Sequence, residues 1–500
     1  MSLDLNFSAG TNNGDGYNYS VTNHQSPFVR IDTIDQHYFD SSKSISFSPT
    51  LSYTEPLGKN QILELNYNYS YSNSNSTHNS YRYDRNLKNY DVLDSLFSNS
   101  YKFTTMSNRF TVNYRMQKDK YNFNIGTGIQ YTDRNSQNTT KNINVSDNFI
   151  NFTPTANFVY NYSRTKNLRI FYNGRPGQPS VSQLQPLQTT SDSINFTVGN
   201  PDLKPQFTHS LRLLYNSFDI VTQRMIFVTI NASATTNDIQ NTLINYQNGK
   251  NLSSYTNLGG TYNVSGYFNY GFPLKRPKSN LNFTTNLGYN QSQGLSANDT
   301  IGKTLVFIHN FTRNTTMGET IRWTTNLKDN FDMNFSAGTT YNILTNTGNP
   351  RQNSNYFVHT FSIEATYYTT KSGWILASDF DYTYNGLSSG YNASVPLWNP
   401  SIAKQFLKNR AGELRLTCFD LLNQNQSVSR SINGLSTTDS RTNVLTQYFL
   451  LTFTYNLRRF AGAQQKMPSF MGGGRNRGGG EGGGFGGFGG GGGGRRGGEE

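Results

Sequence analysis

Cysteine, tryptophan and long apolar runs are all scarce in this 500-residue chain. Its one thiol, Cys418, excludes an internal disulfide. With no His or second Cys beside it in sequence, it reads as an inert apolar residue on a strand within Leu414 to Phe419. No stretch approaches 18 consecutive apolar residues, which excludes a helical membrane span. Only 34% of the chain is hydrophobic and only three residues are Trp, so the thick aliphatic core that a soluble chain of this length would bury is missing. What stands in its place is aromatic and polar: 33 Tyr and 34 Phe, beside a large excess of Asn, Ser and Thr. A Tyr ring is apolar and its hydroxyl wants a partner, which suits a boundary between hydrocarbon and water.

Between Lys43 and Leu457 the chain repeats one pattern: about ten residues of strict apolar and polar alternation, then a break rich in Asn, Ser, Gly, Lys or Asp. Leu63, Leu65, Tyr67, Tyr69 and Tyr71 share one face of a run, and Glu64, Asn66, Asn68 and Ser70 share the other. Phe110, Val112, Tyr114 and Met116 lead into Gln117 to Lys120, after which Tyr121, Phe123, Ile125, Ile129 and Tyr131 resume the period. Successive side chains of a strand point to opposite faces, so each run has a greasy side and a wet side. Strands in soluble sheets run to about 5–6 residues, while tilted membrane strands run to about 9–11. The length of these runs favours a wall with lipid on one side, and backbone groups in lipid require a closed sheet.

The expected fold is all-β: a transmembrane, antiparallel, up-and-down β-barrel of about eighteen strands. They fall near 2–10, 43–55, 60–73, 105–117, 121–134, 149–163, 167–174, 206–218, 223–236, 257–272, 280–291, 313–327, 331–344, 356–369, 374–386, 400–408, 412–422 and 444–458. Connections alternate between tight ones, at 56–60, 117–120, 163–167, 328–330 and 370–373, and long ones, at 11–42, 74–104, 175–205, 237–256 and 423–443. Bacterial barrels have short periplasmic turns and long external loops. This parity therefore orients the chain in a Gram-negative outer membrane with its C-terminus in the periplasm. Two domains are expected: 1–460, the barrel, and 461–500, a segment holding nearly half of the 45 Gly that reads as a flexible Gly/Arg-rich tail.

The net charge of +13 would suggest a nucleic-acid partner in a soluble protein. Here Lys59, Lys118, Lys120, Arg164, Lys166, Arg224, Lys275, Arg276, Lys278, Lys328, Lys371, Lys408 and Arg410 fall in or beside the short turns. Solvated turn charge, and no nucleic-acid partner, is the expectation. The six histidines are scattered, with no HExxH or GxSxG. His209, His309 and His359 read as lumen or interface residues, and Asp379 and Asp381 as lumen hydration. No enzyme activity, cofactor or metal site is expected. Loops on a rigid wall carry recognition, which makes 74–104, 175–205 and 237–256 the candidates for ligand contact, with Tyr81, Arg82, Tyr83 and Arg85 able to stack on sugars or pair with anions.

Pro179-Ser-Val-Ser-Gln-Leu-Gln-Pro186, then Val198-Gly-Asn-Pro-Asp-Leu-Lys-Pro-Gln206, and later Phe419-Asp-Leu-Leu-Asn-Gln-Asn425, resemble signatures of Bacteroidetes-type TonB-dependent receptors and their outer-membrane β-barrel family. The terminal run Phe449, Leu451, Phe453, Tyr455, Leu457 and Phe460 is similar to the strand that the barrel-insertion machinery reads in such proteins. The resemblance implies a 22-stranded barrel, an N-terminal plug engaged by the TonB complex, and in some members a surface lipoprotein partner. It implies uptake or surface binding of a nutrient, a passive porin or an adhesive barrel being the rivals. Met1 opens almost directly into the strand-like Leu3, Leu5 and Phe7, so the expectation is a barrel portion lacking signal peptide, plug and about four strands, with an eighteen-stranded closed barrel as the competing possibility. Within the motif, Pro201 and Pro205 fix their own φ and bias Asn200 and Lys204 toward extended backbone. Asn200, Pro201, Leu203, Lys204 and Pro205 are thus expected to deliver the chain into a strand.

Overall fold

The computed structural model describes residues 1–24, 29–95, 97–140, 142–184, 188–190, 194–246, 250–298, 305–328, 330–369, 371–386, 394–425, 427–432, 437–442 and 444–456. Leu457, Phe460, Gln185, Pro186, Thr370 and the Gly-rich 461–500 segment lie outside the described residues. Among the described residues there are 26 strands, one four-residue α-helix and two 3-10 turns, and no helix is long and apolar enough to cross a membrane. The chain divides into two compact units, 1–325 with 336–359, and 326–335 with 360–500.

The first unit holds β1 (Ser2–His24), β2 (Arg30–Gly58), β3 (Gln61–Asp84), β4 (Asn89–Leu93), β5 (Asn99–Gln117), β6 (Tyr121–Asn138), β7 (Ile143–Phe152), β8 (Thr155–Ser163) and β9 (Lys166–Gly177). They are followed by α1 (Val181–Leu184), β10 (Gln188–Thr190), β11 (Asn195–Val198), β12 (Gln206–Phe218), β13 (Met225–Thr236), β14 (Asp238–Asn245), β15 (Asn251–Leu258), β16 (Thr261–Leu274), β17 (Ser279–Asn298) and β18 (Ile308–Lys328). The long strands form one antiparallel meander from β1 to β18. β19 (Phe331–Asn346) and β20 (Ser354–Tyr368) pair with each other and contribute residues to both units.

Register turns alternation in each run into rows across the sheet. Leu3, Leu51, Tyr67, Phe110, Ile129 and Phe152 are successive cross-strand partners, and every one is at least 37% exposed. One residue along, the row is Asp4, Thr50, Asn68, Arg109, Gln130 and Asn151. Further round the meander, Phe123, Phe158, Ile170, Leu213, Ile230, Gly266, Leu287 and Met317 line up in the same way. Contiguous apolar exposure on this scale is unstable in water, and hydrocarbon is the solvent it fits.

The expected 149–163 strand is two strands, β7 and β8, both paired to β6. The break falls at Thr153-Pro154, because Pro154 has no N–H to give to the ladder. Thr153 N instead donates to Gly128 O at 2.8 Å, and Gly174 N to Pro154 O at 2.8 Å. Both glycines admit this close approach: a Cβ on Gly128 would lie 2.6 Å from Thr153 Oγ1, and one on Gly174 3.0 Å from Pro154 Cδ.

The second unit contains the ladder β21 (Trp374–Asn385), β22 (Ser394–Phe406), β23 (Gly412–Phe419) and β26 (Tyr448–Tyr455). β24 (Ser427–Ile432) and β25 (Thr437–Thr442) form a separate hairpin. Leu376, Ile402, Leu416 and Leu451 make the apolar row of the β21–β22–β23–β26 ladder. Cys418 is buried on β23 opposite Phe449.

Each of the eighteen expected strands is represented, yet the long connections hold more sheet than expected. β1, β2 and β3 run on through most of 11–42 and into 74–84, while 237–256 and 423–443 contain the β14–β15 and β24–β25 hairpins. Asn, Ser and Gly weaken a strand in isolation, but a ladder extended from both sides carries them.

Candidate binding surface at the long connections

The continuation of β1 to β4 gathers an aromatic cluster. Tyr17 pairs with His37, and His37 with Tyr81. The Tyr17 and His37 rings stack at 4.1 Å and 6°, Phe39 lies 4.3 Å from His37, and Tyr90 meets Tyr17 at 5.4 Å and Tyr83 at 5.1 Å. Tyr17 is 65% exposed, so the rings form an open platform. Two carboxylates fix it. Asp15 lies 2.5 Å from His37 Nε2, and Tyr90 Oη donates to Asp35 at 2.7 Å. That hydrogen bond to an anion pushes the Tyr90 phenol up to about 12, because it favours the protonated form.

The predicted quartet divides between the faces of β3. Tyr81 and Tyr83 belong to the platform. Arg82 points the other way, its Nε 3.3 Å from Asp94, which also accepts from Gln36 Nε2 at 3.3 Å. Arg85 is exposed in the turn after β3. Sequence reasoning missed Tyr17, His37, Phe39 and Tyr90. The available signal was the odd-numbered alternation of Leu3, Leu5 and Phe7, which resumes in the same parity at Tyr17, Tyr19 and Val21.

On the opposite, polar face of the sheet, the Asn200–Pro205 motif is clasped at β6 and β15. Arg134 on β6 is 1% exposed. Its Nη2 donates to Asp147 at 2.5 Å and to Leu203 O at 3.1 Å, and its guanidinium lies 5.1 Å from the Phe149 ring. Asn200 N donates to Gln183 O at 2.7 Å, and its side chain to Tyr255 O at 2.9 Å. Asn257 brackets Lys204, accepting from its N at 2.8 Å and donating to its O at 2.9 Å. Leu184 and Leu203 are both 1% exposed, so α1 and the motif each bury one apolar side chain. Gln206 opens β12 directly after Pro205.

The three histidines singled out in the sequence lie on separate strands. His209 Nδ1 lies 2.9 Å from Tyr172 Oη, His309 Nε2 lies 2.6 Å from Gln293 Oε1, and His359 stacks at 5.7 Å on Phe357. Asp379 and Asp381 alternate with Phe380 on β21, on the face opposite Leu376. Among the described residues no three His, Cys, Asp or Glu side chains group as metal ligands. On the terminal strand, Phe449, Leu451, Phe453 and Tyr455 are each more than half exposed.

Among solved structures, the chain is similar to the ferric citrate transporter FecA in its unliganded form, at 11% identity over 90% of this chain and 59% of that one, with a TM-score of 0.46. It is similar to the ferripyoverdine receptor of the outer membrane of Pseudomonas aeruginosa, at 12% identity over 91% of this chain and 54% of that one, with a TM-score of 0.46. For the RagAB peptide importer in the closed-closed state the figures are 12%, 77%, 59% and 0.35. The chain thus spans less than two thirds of the length of each. No curated protein sequence matches it. Residues 1–304 match the profile of the Outer membrane protein beta-barrel family, and with more than half its length matched the chain belongs to that family.

Proposed function

We propose that this chain is the barrel of a TonB-dependent receptor-type protein that takes part in uptake or surface binding of a nutrient and has no enzymatic activity. The observation that carries the reading is the Tyr17, His37, Tyr83 and Tyr90 platform, held by Asp15 and Asp35 at the long-connection end of the sheet. Fixed aromatic rings lose little entropy on binding, which is why Tyr dominates recognition surfaces. Within this reading the long connections face outward, the 461–500 tail lies in the periplasm, and Phe449 to Phe460 direct insertion. A plug and the TonB complex supply the force for uptake, and a surface lipoprotein is a fitting partner.

Orientation and activity are tested separately. In a Cys418→Ser background, a cysteine at Arg85 is expected to react with a membrane-impermeant maleimide on intact cells, and one at Lys118 only after lysis. A deletion strain is expected to lose growth on one class of nutrient, with rescue by the wild-type gene and at least tenfold weaker rescue by Tyr17→Ala/Tyr83→Ala. Steady ion conductance in planar bilayers together with an unimpaired deletion strain would favour a porin.

A further inference from the structure

The two ends of the first unit differ sharply in charge. Its five short connections, 59–60, 118–120, 164–165, 219–224 and 275–278, hold eight Lys or Arg and two Asp in 17 residues. Its long connections, 25–29, 85–98, 139–142, 178–205, 237–260, 299–307 and 347–353, hold seven Lys or Arg and six Asp in 91 residues. A general need for solubility would spread cations over both ends. Here they are concentrated at one end.

None of the eight cations has an ion-pair partner among the described residues. Asp219 is already engaged, accepting from Val221 N at 2.9 Å and Thr222 N at 3.1 Å; those backbone donors hold its carboxyl below the usual range. The charges also adjoin the apolar face. Lys118 Nζ lies 5.6 Å from the centre of the Tyr121 ring; Tyr121 pairs with Tyr160, which packs edge-on at 4.5 Å against Tyr162, itself 55% exposed. The second unit repeats the arrangement: Lys404 reaches along the apolar face to Ser372 O at its short turn, with Nζ 4.8 Å from the Trp374 ring.

An unpaired cation set beside a girdle of exposed rings matches one ligand geometry, a phosphodiester headgroup whose acyl chains continue down the apolar wall. We propose that the short-turn end of this barrel is a docking surface for anionic phospholipid headgroups, selecting them over zwitterionic ones. The lipid's phosphate meets Lys or Arg, its glycerol backbone meets the tyrosine girdle, and its chains cover rows such as Phe123 to Met317. The inference stands on the family's membrane location and not on nutrient uptake.

The full chain is reconstituted in nanodiscs of mixed phosphatidylglycerol and phosphatidylcholine, and the lipid retained on mild detergent extraction is quantified by mass spectrometry. Phosphatidylglycerol is expected to be enriched over the bulk ratio. That enrichment should fall roughly fivefold on Lys118→Gln/Lys120→Gln, and again on Lys275→Gln/Arg276→Gln/Lys278→Gln. Arg85→Gln/Lys88→Gln, at the other end, should leave it unchanged. Raising salt from 50 to 500 mM on the wild-type protein should lower it, and 50 mM inorganic phosphate at matched ionic strength should not, since a free anion lacks the chains. Enrichment that survives both the turn substitutions and the salt would overturn the proposal, as would an equal loss in the Arg85/Lys88 variant. Competition by inorganic phosphate alone would show a free-phosphate site and overturn the lipid assignment.

Discussion

Near the short turns and near the long connections, the same strands of the first unit solve opposite problems. Toward the turns, one face presents Leu51, Phe110 and Ile129 outward and the other face carries Asn68, Arg109 and Gln130. Toward the long connections it is the polar face that is buried: Ser80, Asn99, Thr132, Arg134, Ser136 and Asn138 are all below 5% exposure. Alternation alone therefore does not say which side is covered. In the first region hydrocarbon covers the apolar side. In the second, the Asn200–Pro205 motif covers Arg134 on the polar side, and the bonds of its guanidinium to Asp147 and Leu203 O make the burial of that charge tolerable.

The contrast breaks most directly at Arg134. Asp147→Ala leaves a fully buried guanidinium without its carboxylate, and destabilisation by about 3 kcal/mol is expected. Denaturant unfolding followed by Trp fluorescence measures it, and Asp133→Ala, on the opposite face, should move the midpoint little. If both variants behave alike, the clasp contributes nothing to the fold. A second pair tests the apolar side. Ile129→Arg places a charge in the lipid-facing row and should cost about 2–4 kcal/mol, whereas Gln137→Arg, eight residues along the same face of β6, should cost about 0–1. Heat-modifiable gel migration read across a urea series in lipid vesicles separates the two, and equal costs would contradict the boundary drawn between the regions.

What was legible in the sequence follows the same division. Period-two alternation is local, so strands such as β3, β5 and β6 and the wall's apolar rows could be read directly from Leu63 to Tyr131. The Pro154 break was hidden because its supports, Gly128 and Gly174, lie on neighbouring strands. The clasp was hidden for a stronger reason: Arg134 and Leu203 are 69 positions apart, and no local pattern couples a strand arginine to the carbonyl of a distant motif. The NPxLKP residues were read as strand entry and directly precede Gln206, the first residue of β12, while their contacts with Gln183, Tyr255 and Asn257 had no local signal. Of the ligand candidates, Tyr81 and Tyr83 share a parity and lie on the platform face, and Arg82, of the other parity, lies on the opposite face.

The smallest expected effect lies in the platform itself. The Asp35 carboxylate accepts the Tyr90 hydroxyl, so the folded phenol titrates at about 12 against roughly 10 in an unfolded chain. A group whose folded pKa is raised lends stability that is fully present below pH 10 and is lost as pH climbs through the folded value. Difference absorbance of tyrosinate in the wild type and in Tyr90→Phe should therefore show one phenol missing from the latest-titrating class. Asp35→Asn should bring that phenol back toward 10, because an amide accepts the same hydrogen bond without the charge. Should Asp35→Asn leave the titration where it was, the carboxylate does not hold Tyr90, and the rings at the long-connection end would be an incidental cluster and not a pre-set surface.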